Sequence, residues 1–248
     1  MSRLLALTFF FLAAANAASA TDFSAMTTVE RDAFRAEVKA YLLENPEVLV
    51  EAIDVLNKRQ AEAEAASDVG MVQANKDAIF NDPASWVGGN PDGDITVVEF
   101  IDYRCGYCRK AYDEVGELVK SDGNIRFVVK EFPILGDAST VSARFAIAVL
   151  QTAGDEAYKS ANDKLIKLKV DPTPEMLTKL ATDLGLDPGP VLARMDSPEV
   201  ESVIAANHDL GNKLKISGTP TFVINGTMLR GYVPLDGMRQ VVEQERQG

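Results

Sequence analysis

The stretch Glu99-Phe100-Ile101-Asp102-Tyr103-Arg104-Cys105-Gly106-Tyr107-Cys108-Arg109-Lys110 joins the end of an apolar run to the start of an amphipathic one. Ahead of and into it, Ile95 to Ile101 is rich in β-branched and aromatic residues and nearly continuous in hydrophobicity, which predicts a central buried strand. Beyond it, Arg109 to Lys120 keeps helical spacing until Ser121-Asp122-Gly123-Asn124 ends it. The cysteines therefore sit where a strand gives way to a helix. At that place the unpaired N–H groups and the positive end of the helix dipole favour a thiolate. Cysteines of a Cys-X-X-Cys pair at a helix start have pKa values lowered to ~3.5–7.5, and the thiolate is the attacking species. Cys105 is the expected nucleophile. Cys108, one turn further on the same side, is the expected resolving thiol, attacking the mixed disulfide to release the substrate.

Cys105 and Cys108 are the only cysteines. A bond between them closes a very short loop and constrains the unfolded chain little, so a purely structural disulfide is the weaker reading. Zinc needs about four ligands, whereas the chain offers this pair and the lone His208, read here as an ordinary helical residue. A two-thiolate Cu(I) site at Cys105 and Cys108 stays open.

Glu99 stands inside the apolar strand. Burying an ionised carboxyl is costly, so its pKa rises unless it has a partner. Two readings are open at this point: a proton relay to Cys108, or a salt bridge with Lys130. A second informative string is Ser217-Gly218-Thr219-Pro220-Thr221-Phe222, where a proline begins a strand and costs no ladder hydrogen bond.

Working outward, Ile125 to Lys130 is a second strand, and the order strand, helix, strand implies a right-handed crossover with parallel strands. Residues 139–153, 155–168, 173–184 and 197–216 are helical in pattern, with Pro172, Pro174, Gly185, Pro188, Gly189 and Pro190 as punctuation. Thr221 to Ile224, Asn225-Gly226 and Met228 to Tyr232 form a hairpin signal, and Pro234 opens a terminal helix. On the other side, Ser67 to Asp94 holds a short helix around Val72 to Phe80 and then turn chemistry. Earlier still, Val29, Phe34, Val38, Tyr41, Leu42, Val48, Leu49, Ile53 and Leu56 recur at helical spacing, interrupted by Asn45-Pro46, giving two helices whose apolar stripe needs a partner.

Residues 1–20 read as a secretory leader, with Arg3, an apolar stretch from Leu4 to Ala15 and the small-residue motif Ala18-Ser19-Ala20. A net charge of −12 argues against a nucleic-acid surface, which needs a basic patch. No cofactor is expected.

Together, the strand ending at Glu99-Phe100, the Cys105-Gly106-Tyr107-Cys108 helix start, the helical block and Gly218-Thr219-Pro220 resemble the DsbA-like branch of the thioredoxin superfamily, from about Asp94 to the C-terminus. The resemblance implies an α/β thioredoxin fold (residues 94–138 and 197–248) with an inserted helical domain (139–196), preceded by a linker (67–93). It implies that Pro220 is cis and faces the cysteines, and that the backbone of Thr219 pairs with the substrate chain by β-augmentation. It also implies a periplasmic location, unfolded or misdisulfided exported proteins as clients, and a membrane redox partner. The dipeptide Gly106-Tyr107, with Thr219 before the proline, looks more like the bacterial isomerases than the dedicated oxidases. The segment 21–66 resembles the association segment of copper-sensitivity suppressor proteins of ScsC type, which implies a homo-oligomer through residues 27–66.

Overall fold

The computed structural model describes residues 23–247, so the leader expected over residues 1–20 lies outside the described residues. The chain divides after Arg59 into two compact units. In the first, helix α1 (Thr28–Glu44) is opened by a reciprocal cap. The Glu30 N–H donates to Thr27 Oγ1 at 3.3 Å and the Thr27 N–H donates to Glu30 Oε2 at 2.8 Å. Helix α2 (Glu47–Ala74) follows at once, because Pro46 lacks an N–H and cannot continue α1. The break falls at the expected Asn45-Pro46, but α2 runs on to Ala74, into the start of the segment 67–93 expected to be a linker. No residue of α1 is buried, and Val29, Val38, Tyr41, Leu49, Ile53 and Leu56 are exposed.

The second unit contains the end of α2, then α3 (Lys76–Phe80), β1 (Trp86–Gly89), β2 (Ile95–Ile101), α4 (Gly106–Asp122) and β3 (Ile125–Glu131). A helical block follows: α5 (Asp137–Ala153), α6 (Asp155–Leu165), α7 (Pro174–Asp183), α8 (Pro188–Met195) and α9 (Pro198–Lys213). Strands β4 (Thr221–Ile224) and β5 (Thr227–Arg230) and helix α10 (Leu235–Gln247) complete it. The strands form one sheet in the order β1-β3-β2-β4-β5, with β2 and β3 parallel as expected and the other neighbours antiparallel.

Alternation along the strands sets the layers. Val98, Phe100, Val128 and Val223 pack on one face with Ile79 of α3 and Leu210 of α9. On the opposite face, Val97, Phe222 and Ile224 meet Ala111, Val115 and Leu118 of α4 and Met238 of α10. Further along that face, Ile101 and Val129 meet Tyr158 and Leu165 of the helical block. Arg230 closes the edge of the unit, donating to Asp68 of α2 at 2.6 Å.

Two elements fall where only turns were expected. Strand β1 is a four-residue edge strand containing two glycines, too short and too glycine-rich to show a strand pattern. Its glycine is required: a Cβ on Gly88 would lie 2.1 Å from the Trp86 ring. That ring stacks on Tyr158 at 5.5 Å, and its N–H donates to the Asp155 carbonyl at 3.0 Å. Helix α8 begins in Pro188-Gly189-Pro190 because prolines suit a first helical turn and Asp187 accepts from the Gly189 N–H at 3.0 Å.

Candidate active site

At the end of β2 the chain turns into α4 through a loop that the Asp102 carboxylate holds rigid. Asp102 accepts from the N–H groups of Arg104 (2.8 Å), Ile134 (2.8 Å) and Leu135 (3.0 Å) and from the Ser139 hydroxyl (2.7 Å). Arg109 clamps the same loop from α4, donating to the carbonyls of Tyr103 at 2.9 Å and Leu168 at 2.8 Å. Cys105 occupies the N-cap of α4, and Cys108 lies fully buried inside the first turn.

Across from the cysteines runs the Thr219–Pro220 peptide, which is cis. Its position follows from the register of β4 on β2, in which Thr221 lies opposite Phe100 and Phe222 opposite Glu99. The loop just before β4 therefore meets the loop just after β2. The Cys105 thiol donates to the Thr219 carbonyl at 3.0 Å.

The two sulfurs are electrostatically unequal. The Cys105 thiol is held down to about 5, chiefly by its hydrogen bond with Cys108, with Thr219 and the N–H groups of Cys108 and Tyr107 acting in the same direction against burial. Cys108 is driven up by that same hydrogen bond, then by burial and by the charge of Glu99. The thiolate is thus favoured at Cys105 and the protonated thiol at Cys108.

Glu99 is buried, and its Oε1 has no hydrogen-bond partner among the described residues. Burial first, then the charges of Cys105 and Glu131, raise its carboxyl to about 8. The salt bridge with Lys130 that the sequence left open is not formed. Glu99 pairs in register with Val129, so Lys130 points to the other face, where its ammonium meets Asp82 Oδ2 at 2.6 Å.

Four residues that sequence reasoning missed belong to the same neighbourhood. Glu131 lies on the face of Glu99, one pleat along the neighbouring strand, and its Oε1 accepts from the hydroxyls of Tyr103 at 2.7 Å and Tyr158 at 2.6 Å. The Asn162 side-chain amide donates to the Tyr103 hydroxyl at 3.0 Å. Burial raises Glu131 to about 8 as well, opposed by the two tyrosine hydrogen bonds. The available signal was a charged residue closing a strand, a weaker form of the signal that singled out Glu99, a charge inside one.

The dipeptide faces outward. Tyr107 is 63% exposed and stacks on Tyr232 at 6.3 Å, while Lys110 lies 4.0 Å over the Tyr232 ring. Tyr232 is anchored by donating to Glu114 at 2.6 Å. His208 packs its ring on Phe132 at 5.1 Å. Among the described residues no three His, Cys, Asp or Glu side chains converge as metal ligands, so a soft ion would have only the two thiols.

The chain matches the DSBA-like thioredoxin domain family over residues 96–243 and the copper resistance protein ScsC N-terminal domain over residues 30–63. Among solved structures it is similar to a thioredoxin-like oxidoreductase from Silicibacter pomeroyi DSS-3, with 38% identity and a TM-score of 0.66 over 70% of this chain and 99% of that one. It is also similar to BcfH of Salmonella enterica Typhimurium, with 28% identity and a TM-score of 0.73 over 89% of this chain and 97% of that one. Disulfide bond formation protein D of Bacillus subtilis (strain 168) is 24% identical over 189 residues, which are 71% of this chain and 85% of that protein. The chain belongs to the DsbA-like thioredoxin-domain family of thiol–disulfide oxidoreductases, with an ScsC-like segment ahead of the thioredoxin domain.

Proposed function

We propose that this chain is an exported, periplasmic enzyme that isomerises or reduces protein disulfides through Cys105 and Cys108. The observation that carries the reading is the split between the thiols, with Cys105 at the helix start against the Thr219 carbonyl and Cys108 buried behind it. The Cys105 thiolate attacks one sulfur of a client disulfide. The client S–S bond breaks, its other sulfur leaves as a thiolate, and a mixed disulfide forms. In isomerisation a second client thiolate attacks the client sulfur of that bond and Cys105 leaves as a thiolate, so no electrons are consumed. In reduction Cys108 gives its proton to the Glu99 carboxylate and attacks Cys105 Sγ, which frees the client thiolate and leaves a Cys105–Cys108 disulfide. A carboxyl with a pKa of about 8 takes and returns a proton near neutral pH. A membrane redox partner would then restore the dithiol.

Gly106-Tyr107 and Thr219 support isomerisation or reduction over oxidation, through their likeness to bacterial isomerases. Clients would be unfolded or misdisulfided exported proteins, paired through the backbone of Thr219 beside Pro220. A homo-oligomer through residues 27–66 fits the exposed apolar stripe of α1 and the start of α2, where Val29 is 79% exposed. Export rests on the leader expected over residues 1–20. No described helix is long and apolar enough to cross a membrane.

Refolding of scrambled ribonuclease tests the reading: the protein should restore activity and Cys105→Ala should abolish it, whereas undiminished activity in that variant would remove the proposal. A reduction potential near ~−120 mV, together with rescue of an oxidase-deficient strain, would favour a disulfide-forming oxidase instead. The ScsC-like segment and the adjacent thiols support one further reading, Cu(I) binding at Cys105 and Cys108. Competition for Cu(I) against a chelator, lost on replacing either cysteine, is the expected result for that reading.

A further inference from the structure

Two short strings beside the cysteines run against the charge of the chain, which is −12 overall. Arg104 to Lys110 carries the cations Arg104, Arg109 and Lys110 and no carboxylate, and Lys167 to Asp171 adds Lys167 and Lys169 against Asp171 alone. The fold joins the two strings at the nucleophile. The Arg104 guanidinium donates to the Val170 carbonyl at 3.0 Å and that of Arg109 to the Leu168 carbonyl at 2.8 Å, so the loop after α6 is held against the residues that flank Cys105.

Little of this positive charge is neutralised. Of the five cations only Arg104 forms an ion pair among the described residues, with Asp171 at 2.8 Å, and that carboxylate is 74% exposed, so the pair is weak and screened by salt. Arg109 spends its N–H groups on carbonyls. Lys110 lies over the Tyr232 ring and Lys167 over the Tyr112 ring at 5.2 Å, contacts that leave the charge in place, and Lys169 is exposed. Neighbouring acids are engaged elsewhere: Asp163 pairs with Lys159, and Glu114, which Lys110 also attracts, accepts from the Tyr232 hydroxyl and the Leu235 N–H. Helix stability does not account for the pattern. The first turn of α4 holds no acidic residue, although the positive end of a helix dipole favours acids and disfavours cations such as Lys110 close behind it.

We propose that this cationic collar selects, among client disulfides, those flanked by Asp or Glu, an inference that rests on the reduction of protein disulfides by Cys105 and Cys108. The client sulfur lies at Cys105 and the flanking carboxylates meet Lys110, Lys167 or Lys169. Charge of one sign around a reactive group raises the encounter rate of partners of the opposite sign, and salt removes the gain. The cysteine pair inside the collar points to an acidic protein segment and not to a nucleic acid, which has no disulfide to offer.

Three synthetic peptide disulfides test it, identical except that the residues on either side of the cysteine are Glu, Gln or Lys. Each is mixed with the reduced full chain in a single turnover, in which the peptide disulfide is reduced to two thiols as Cys105 and Cys108 become a disulfide. Each rate constant is divided by that of dithiothreitol with the same peptide, which removes the intrinsic effect of the flanking charges on thiolate attack. The expected result is a corrected rate about tenfold higher for the Glu peptide than for the Lys peptide at about 10 mM salt, falling towards equality at about 500 mM. Lys167→Glu combined with Lys169→Glu, both on the exposed loop, should erase most of the preference and keep the melting curve of the parent. Equal corrected rates at low salt, a faster Lys peptide, a preference that salt does not reduce, or full preference in the folded double variant would each overturn the inference alone. Reduction of none of the three peptides would remove the disulfide-reducing reading, and this inference with it.

Discussion

On the α3 face of the sheet, Lys130 is buried with its ammonium 2.6 Å from Asp82; on the α4 face, Glu99 is also buried, with an oxygen that no described residue reaches. Adjacent strand positions separate them, since Lys130 faces away from the residue in register with Glu99. A buried charge with its counter-ion holds structure together. A buried carboxyl without one exchanges a proton near pH 8, and in the proposed reduction it takes the proton that the Cys108 thiol must lose. Glu131 stands between the two cases: its Oε1 takes two tyrosine hydroxyls and its Oε2 has no partner among the described residues.

The comparison breaks most visibly at Asp82. Removing one partner of a buried pair strands the other charge, so Asp82→Ala should cost on the order of 4 kcal/mol in urea unfolding, with the thiol exchange rate per folded molecule retained. A loss below ~1 kcal/mol would mean that the ion pair is not holding β3 in place.

Glu99→Gln should act in the opposite direction. The folded-state pKa of about 8 lies above the unfolded value of 4.5, so the folded carboxyl is protonated where the unfolded one is ionised. Stability referred to this group is fully present below about pH 4.5 and is lost as pH rises through about 8. At ~1.4 kcal/mol per pH unit, the glutamine variant of the reduced protein should be more stable by about 3 kcal/mol at pH 7 and about equal at pH 4. It should also slow the release of mixed disulfide, read by quenched-flow trapping. Equal stability of the two proteins at both pH values would contradict the isolation of Glu99.

Tyr158→Phe removes one of the two hydroxyls on Glu131 and should cost about 2 kcal/mol in urea unfolding, because it leaves a buried carboxyl short of a donor. The smallest effect belongs to the surface. Tyr232→Ala frees Tyr107 from its stacking partner and should cost about 1 kcal/mol, with a change in KM for a peptide disulfide larger than the change in kcat.

Much of this was legible in the sequence because it is local. The runs Ile95 to Ile101 and Thr221 to Ile224 declare β2 and β4 at their observed limits, and the cysteine string marks the start of α4. Strand β1 was not legible, since a tetrapeptide with two glycines owes its extended form to pairing with β3 and to the seat that Tyr158 gives Trp86. Helix α8 was hidden by prolines that read equally as breakers and as a first turn. The fate of Glu99 depended on register: a shift of one residue would have put it on the face of Lys130. The tyrosine network on Glu131 joins positions 27 and 28 residues away, and no spacing rule reaches that far.

The central claim is that Cys105 is the thiolate and Cys108 the protonated reserve. Iodoacetamide trapping of the reduced protein across pH, with the modified cysteine identified by peptide mapping, tests it directly. The account predicts that Cys105 alone is alkylated, with a rate that rises through a midpoint near pH 5. A midpoint near ~8.5, the value of an ordinary thiol, or alkylation of Cys108 first, would contradict it.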